Sequence, residues 1–227
     1  MVSSSKFAKK SYKPASDFAK YSGNLKLGIN TSYIYSKDPK YLGFLISRHK
    51  FVGKLIAGSK NVLEIGCAEG FSTSIVSQFV GKIYAIDNYR RHIEQANMTT
   101  KLSFKNITFI EHDIIQGPIK KNFDAAFSLD VLEHIDPAQE NIYMKNICSS
   151  INQKGVFIIG IPSIYSQKFT SPENKKSHIN CKTAEDLTKL CKKYFNNVFL
   201  FSSNDEIIHT GFEKMSNYFI AVCCFKK

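Results

Sequence analysis

The chain predicts an α/β fold: a mostly parallel sheet of seven strands, helices on both faces and an antiparallel C-terminal strand. Three observations lead there. Short β-rich apolar runs alternate with helical patterns from residue 61 to residue 161. The first such run enters a glycine turn that opens a helix. Two further β-rich runs near the end lie close enough in sequence to pair antiparallel.

Residues 1–37 are rich in Ser, Lys and Tyr with little periodicity. They read as an N-terminal extension or cap that wraps the domain or covers its site, with the first dozen residues disordered. The domain itself is expected over 38–227. Asp38-Pro39 supplies an N-cap followed by proline at the first helical position. Tyr41, Leu42, Leu45, Ile46, His49, Val52 and Leu55-Ile56 then recur at helical spacing, to a stop at Gly58. Gly53 weakens the last turn by about 1 kcal/mol relative to alanine.

Strands follow at Asn61–Gly66, Lys82–Asp87, Ile107–His112, Phe123–Leu129 and Gly155–Ile161, with helices expected at Phe71–Phe79, Tyr89–Thr99 and from Asp136-Pro137 to Ile151. Such alternation places strands parallel, with crossover helices covering both faces. Residues 163–181 are polar and irregular. Thr183 with Asp186 forms a capping-box-like start for a helix to Tyr194. Val198–Ser202 and Ser216–Cys224 complete the seven strands.

Composition narrows the function classes. The 227 residues include 43% hydrophobic and 22% charged residues, ordinary for one globular domain. No apolar run approaches the roughly 20 residues of a membrane span, and the N-terminus lacks the apolar stretch of a secretory signal. A cytoplasmic location is therefore expected. Six cysteines show neither a CxxC pair nor a zinc-like spacing, so they read as free, mostly buried thiols. The net charge of +12 would suit an anionic partner. Its lysine pairs are scattered, however, which favours a solvated surface over a nucleic-acid stripe. The sequence leaves the oligomeric state open.

The most informative segment is Val62-Leu63-Glu64-Ile65-Gly66-Cys67-Ala68-Glu69-Gly70-Phe71. Glycines at 66 and 70 let the backbone bend sharply and approach a ligand. A dinucleotide fingerprint needs G-x-G-x-x-G, but Ala68 and Phe71 stand where glycines belong. A triphosphate loop of the G-x-x-x-x-G-K-[ST] kind is missing too. Glu64, directly before the turn, is awkward beside a pyrophosphate but suits a cationic amino acid.

Glu64-Ile-Gly66-Cys-Ala68-Glu-Gly70 resembles the first motif of the class I S-adenosyl-L-methionine-dependent methyltransferase superfamily, [DE]-x-G-x-G-x-G, with alanine at the middle glycine. Three further matches follow in order. Asp87 ends Ile83-Tyr-Ala-Ile-Asp87, about 20 residues beyond the loop, where an acid accepts the ribose hydroxyls. Asp113 follows the third strand, where the superfamily reads the adenine amino group. Phe123-Asp-Ala-Ala-Phe-Ser-Leu-Asp130-Val-Leu-Glu-His134 looks like its fourth motif. The resemblance covers residues 38–162. It implies a Rossmann-like methyltransferase fold, S-adenosyl-L-methionine as cofactor, and contacts from Glu64, Gly66, Cys67, Ala68, Gly70, Asp87, Asn88, Asp113, Ile114 and Leu129.

A hydroxyl acceptor also has to lose a proton. His134, just past the fourth strand, reads either as an acceptor-side base or as a histidine packing its turn. His178 and His209, in polar segments after the fifth and sixth strands, complete the catalytic candidates. His49, His92 and His112 receive a structural reading. Tyr33, Tyr35 and Arg48 precede the first strand, where related enzymes place groups over the cofactor; Arg48 reads best as a helix-surface charge. Metal-dependent O-methylation stays open as a reading, but no carboxylate cluster is assignable, so no metal ligand is assigned.

The leading function is O-methylation of a small polar acceptor such as a sugar or glycan intermediate. Asp38-Pro-Lys-Tyr-Leu-Gly-Phe44 and His209-Thr-Gly-Phe212 are similar to methyltransferases of bacterial surface-polysaccharide synthesis. RNA or protein N-methylation is the alternative, although the Asn/Asp-Pro-Pro-aromatic motif of base-amine enzymes is replaced by Leu129-Asp130-Val131-Leu132. A non-catalytic S-adenosylmethionine-binding protein is the third reading.

Overall fold

Strands buried on both faces need apolar side chains at successive positions, and β1 (Asn61–Ile65) has them. Val62 belongs to the core layer that holds Val52, Ile56 and Val76. Leu63 and Ile65 belong to the opposite layer, with Tyr143, Met144 and Ile147. Alternation along β1 thus turns Glu64 toward the first layer, beneath the helix that carries His49. The computed structural model describes residues 13–22 and 26–227. The disorder expected of the first dozen residues lies outside the described residues.

Upstream of β1 lie α1 (Lys13–Ser22), α2 (Ile29–Lys37) and α3 (Pro39–Leu55). Downstream come α4 (Thr73–Val76), β2 (Lys82–Asp87), α5 (Arg90–Met98), α6 (Thr100–Ser103), β3 (Ile107–Glu111), β4 (Phe123–Leu129), α7 (Glu140–Ser150) and β5 (Ile151–Pro162). The remainder comprises α8 (Pro172–Ser177), α9 (Ala184–Lys192), β6 (Phe195–Asn204), β7 (Ile207–His209) and β8 (Tyr218–Lys226). The sheet runs β3-β2-β1-β4-β5-β8-β6-β7. β1 to β5 are parallel, and β8 inserts antiparallel between β5 and β6. Helices α3, α4 and α5 contribute to one layer, α7 and α9 to the other.

Strand order reverses where β1 meets β4. In open α/β sheets the crevice beyond the carboxyl ends of such strands receives ligands. Ile65 of β1 pairs with Ile86 of β2 and Ser128 of β4, so residues 66, 87 and 129 leave the sheet side by side.

The α/β class, the parallel core and the antiparallel C-terminal strand agree with expectation. Strand count differs, because Ile207–His209 forms an eighth strand where a polar loop was expected. Asp205 takes a left-handed φ of 52°, which folds Ile207 back onto Asn204. β5 starts at Ile151, pairing across a bulge with Phe123, rather than at Gly155. The helix expected at Phe71–Phe79 shortens to Thr73–Val76. Asp38 makes no side-chain cap, whereas Asp136 accepts from Ala138 N and Thr183 from Asp186 N. Residues 163–181 include a 3-10 turn at Ile164–Phe169 as well as α8. All six cysteines are free. Among the described residues no helix is long and apolar enough to cross a membrane.

Candidate active site

The turn after β1 is tight. Gly66, Ala68 and Gly70 all take left-handed φ values, 78°, 46° and 76°. A Cβ on Gly66 would run into Val131 Cγ2, and one on Gly70 into the Phe109 ring. Both glycines are thus required by packing as well as by conformation. Ala68 adopts the same region despite its methyl group, at about 1 kcal/mol.

The loop is held from β2. Gly66 N and Cys67 N both donate to Ile86 O, at 2.8 and 3.0 Å. Ala68 N donates to Asp87 Oδ2 at 2.9 Å. The other carboxylate oxygen, Oδ1, accepts from Tyr89 N at 2.9 Å and from His92 Nδ1 at 3.2 Å. His92 Nε2 in turn accepts from Asn30 Nδ2 at 3.1 Å. Asp87 therefore ties two turns and the α2 segment together. With Asn88, Asp113 and Ile114 it borders a narrow crevice of about 70 Å³ that meets Gly66. Asp113 also uses Oδ1 to accept from Ile115 N at 2.9 Å.

A larger cleft of about 470 Å³ adjoins this crevice. Glu64, Gly66, Cys67, Ala68, Gly70 and Leu129 form one end, and Asp130, Glu133, His134 and His178 the other. Asn30, Thr31, Tyr33 and Ile34 of α2 line it too. That helix is pinned in place by Thr31, whose N and Oγ1 donate to Glu69 Oε1 at 2.6 and 2.9 Å. Ile29 N donates to Gln95 Oε1 at 2.9 Å. Tyr35 is exposed.

Glu64 is 2% exposed, and its Oε2 has no hydrogen-bond partner among the described residues. Burial raises its pKa to about 8, with Asp87 adding to the rise and the Thr73 hydroxyl opposing it. His49 Nε2 lies 3.8 Å away, and its Nδ1 donates to Leu45 O at 2.8 Å. Burial lowers His49 to about 4. Both groups are therefore neutral near pH 7. A carboxyl sealed in the cleft wall without a partner is ionised readily only when a cation arrives.

At the other end, Arg48 overturns its surface reading. It is 5% exposed, with Nη1 3.6 Å from Asp130 Oδ2 and the guanidinium 3.6 Å over the Tyr218 ring. Tyr218 OH accepts from Asp130 N at 3.1 Å. Asp130 is also the chief cause that pushes Tyr41 up to about 12. Beside this group opens a pocket of about 240 Å³, in which Tyr41, Phe44, Phe169 and Tyr218 alternate with Ser166, Gln167, Asn174, Asp205 and Asn217.

His134 and His178 come together, with ring centroids 5.1 Å apart. His134 Nδ1 donates to Ser177 O, and His178 Nδ1 to Gln167 Oε1, both at 3.1 Å. Burial and then His134 push His178 down. Glu133, buried on the same 3-10 turn as His134, is pushed up by burial and then by Asp130.

His209 is not brought to them. It sits on β7, where Nε2 pairs with Asn204 Oδ1 at 2.8 Å, and it lines a separate depression with Thr210, Phe212 and Met215. Strand pairing of the loop draws it away, which corrects its place among the catalytic candidates. Conversely, of the histidines read as structural, His49 lines the cleft, His112 lines the crevice and His92 holds Asp87. Sequence reasoning also passed over Thr31, Glu69, Glu133 and Tyr218. The adjacency of Glu133 to His134 was the one available signal, because a short turn after a strand can present both.

Comparison with known proteins agrees with this geometry. Residues 56–210 match the family described as "Methyltransferase domain". The ubiquinone biosynthesis O-methyltransferase of Rickettsia canadensis is 26% identical over 131 residues, 58% of this chain and 50% of the relative. The carboxy-S-adenosyl-L-methionine synthase of Campylobacter curvus is 25% identical over 128 residues, 56% and 53% of the two chains. The chain thus spans about half the length of the curated relatives it matches. Among solved structures, the N-methyltransferase NodS of Bradyrhizobium japonicum, in complex with S-adenosyl-l-homocysteine, superposes with a TM-score of 0.63 at 17% identity. That match covers 86% of this chain and 92% of NodS.

Proposed function

The chain belongs to the methyltransferase-domain family, and on that premise we propose that it transfers a methyl group from S-adenosyl-L-methionine to a hydroxyl of a small polar acceptor. One observation carries the reading: the glycine turn, fastened to Asp87, opens into a cleft that continues without interruption to His134 and His178.

The residues present fit the cofactor. It carries an ammonium and a sulfonium but no phosphate, and the cleft wall offers the unpartnered Glu64 Oε2 to a cation. The backbone from Gly66 to Ala68 would flank its methionine part. Asp87 and Asn88 would receive the ribose, with Asp113 and Ile114 toward the adenine. When bound, the cofactor supplies a methyl carbon on positive sulfur: an acceptor oxygen bonds to that carbon, and the carbon–sulfur pair stays on sulfur. The chain's own tasks are alignment and exclusion of water. Leu129 and Cys67, both buried, wall the same end of the cleft as the glycine turn. The cap role expected of residues 1–37 enters this proposal through α2 alone, four of whose residues line the cleft; residues 1–12 and 23–25 lie outside the described residues.

A hydroxyl has to give up its proton, and the reading assigns that proton to an imidazole nitrogen of His134 or His178, both of which line the cleft. A sugar or glycan intermediate suits the adjoining pocket, where aromatic faces can meet C–H groups and amides can meet hydroxyls. The rickettsial relatives' name, O-methyltransferase, supports oxygen as the acceptor atom. The test is incubation with labelled S-adenosylmethionine and pools of nucleotide sugars and glycans. Label in a sugar hydroxyl is expected; label only in RNA or protein would overturn the reading.

A further inference from the structure

Glu133, His134 and His178 present one ligand atom each, all within 4.8 Å of one another, on the wall of the cleft. Three features show that these atoms are aimed rather than merely near. His134 Nδ1 faces the Ser177 carbonyl and His178 Nδ1 the Gln167 amide oxygen, at 3.1 Å each. Both partners only accept, so each Nδ1 keeps its hydrogen and each Nε2 keeps its lone pair free. Glu133 is 1% exposed, and its Oε2 lacks a partner among the described residues. A buried carboxylate in that state is costly unless a cation compensates it. The segment that carries His178 is in turn fastened to the turn that carries the other two, because Asn180 N donates to Glu133 O at 3.1 Å.

We propose that Glu133, His134 and His178 bind a first-row divalent cation such as Mn²⁺ or Zn²⁺, whose open positions face the acceptor and hold its hydroxyl oxygen. Two imidazole nitrogens and one carboxylate oxygen suit such an ion better than Ca²⁺ or Mg²⁺, which prefer all-oxygen sites. Ligands about 2.1 Å from one ion stand roughly 3–3.5 Å apart. The trio therefore has to draw in by about an ångström, and His134, whose side chain is 44% exposed, has room to turn. Asp130 stays outside the set, engaged with Arg48 at 3.6 Å.

This inference rests on the methyltransferase reading and gives the two histidines a use other than proton abstraction. A hydroxyl bound to the cation becomes more acidic: its O–H bond breaks, the pair stays on oxygen, and the proton leaves to bulk water. An acceptor with two neighbouring oxygens would fill two open positions.

The test uses the untagged, chelator-stripped full chain and Mn²⁺, followed by calorimetry and electron paramagnetic resonance. One Mn²⁺ per chain is expected. Glu133→Gln and His178→Gln should each weaken it tenfold or more, at unchanged circular dichroism. Gln167→Ala, which touches no ligand atom, should weaken it about tenfold by releasing the His178 tautomer. No stoichiometric binding of Mn²⁺ or Zn²⁺, or variants that bind like the original, would overturn the site. S-adenosylmethionine titrated into the stripped chain separates the two readings. Cofactor binding without a metal site defeats only this inference, whereas a metal site without cofactor binding defeats the functional reading beneath it.

Discussion

At the end of the cleft proposed for the cofactor, the lining comes from turns that directly follow β1, β2, β3 and β4, and the β1 turn is fastened to the neighbouring strand β2. Ala68 N reaches Asp87 Oδ2, and Gly66 N reaches Ile86 O. At the acceptor end, Tyr41 and Arg48 from α3, Asp130 and Glu133 after β4, His178 after α8 and Tyr218 from β8 meet only through the tertiary fold. The first end is specified by short segments that carry their chemistry with them. The second exists because charges and rings from distant segments bury one another. Variants should therefore act locally at one end and cooperatively at the other.

The largest effect is expected from Arg48→Met. It leaves Asp130 without its cation and Tyr218 without the guanidinium over its ring. Losing this ion pair, buried at Arg48 though partly exposed at Asp130, together with the ring contact should lower unfolding free energy by about 3 kcal/mol. Adding Asp130→Asn should recover much of the loss, since the unpaired charge then disappears. Equal losses for single and double variants in urea unfolding would break the claim that this end is cooperative.

Asp87→Ala sharpens the other side of the comparison. It removes the acceptor of Ala68 N and Tyr89 N and should weaken S-adenosylmethionine binding on the order of a hundredfold in calorimetry. Unchanged affinity would detach the glycine turn from cofactor binding.

A smaller effect follows from Glu64, held near 8 by burial. A bound ammonium favours the ionised form, so binding below that pH releases a proton. Affinity should climb as pH rises from 6 to 8, by up to about tenfold per unit, and then level off. Glu64→Gln should flatten the profile. Stability of the ligand-free chain should move the other way. Folded Glu64 keeps a proton that the unfolded chain gives up above about 4.5, so its contribution falls as pH rises toward 8. His49, lowered to about 4, opposes this only up to its ordinary 6.5. The net loss should therefore show in thermal melts above that point.

The smallest effect is at Ala68, which holds a φ of 46° with a methyl group. Ala68→Gly relieves that conformation but adds freedom to the unfolded chain, so a net gain of no more than about 0.5 kcal/mol is expected in chemical denaturation. Destabilisation would show that the Cβ makes a packing contact worth more than the strain.

Legibility follows the same division. Glu64 to Gly70 could be read because the turn, its glycines and its acid are consecutive, and Asp87 because β2 ends there. The parallel core could be read from buried apolar runs. Arg48 could not: its helical spacing marks it as surface, and the ring that buries it lies on the last strand. Glu133 carries no sequence signal beyond its place in the turn; its buried, unpartnered Oε2 exists only in the folded chain. His209 misled because Asn204–His209 has loop composition, yet Asp205 closes it into a hairpin that carries the imidazole to the far side of β6.

The central claim is that the turn from Gly66 to Gly70 and Asp87 hold S-adenosylmethionine with its reactive end toward Glu133, His134 and His178. A crystal structure with S-adenosylhomocysteine tests it most directly. The account predicts the adenosine beside Asp87 and Asp113, and the sulfur beside Leu129 facing the two histidines. A ligand seated elsewhere, or reversed so that its amino-acid end meets Asp113, would contradict it.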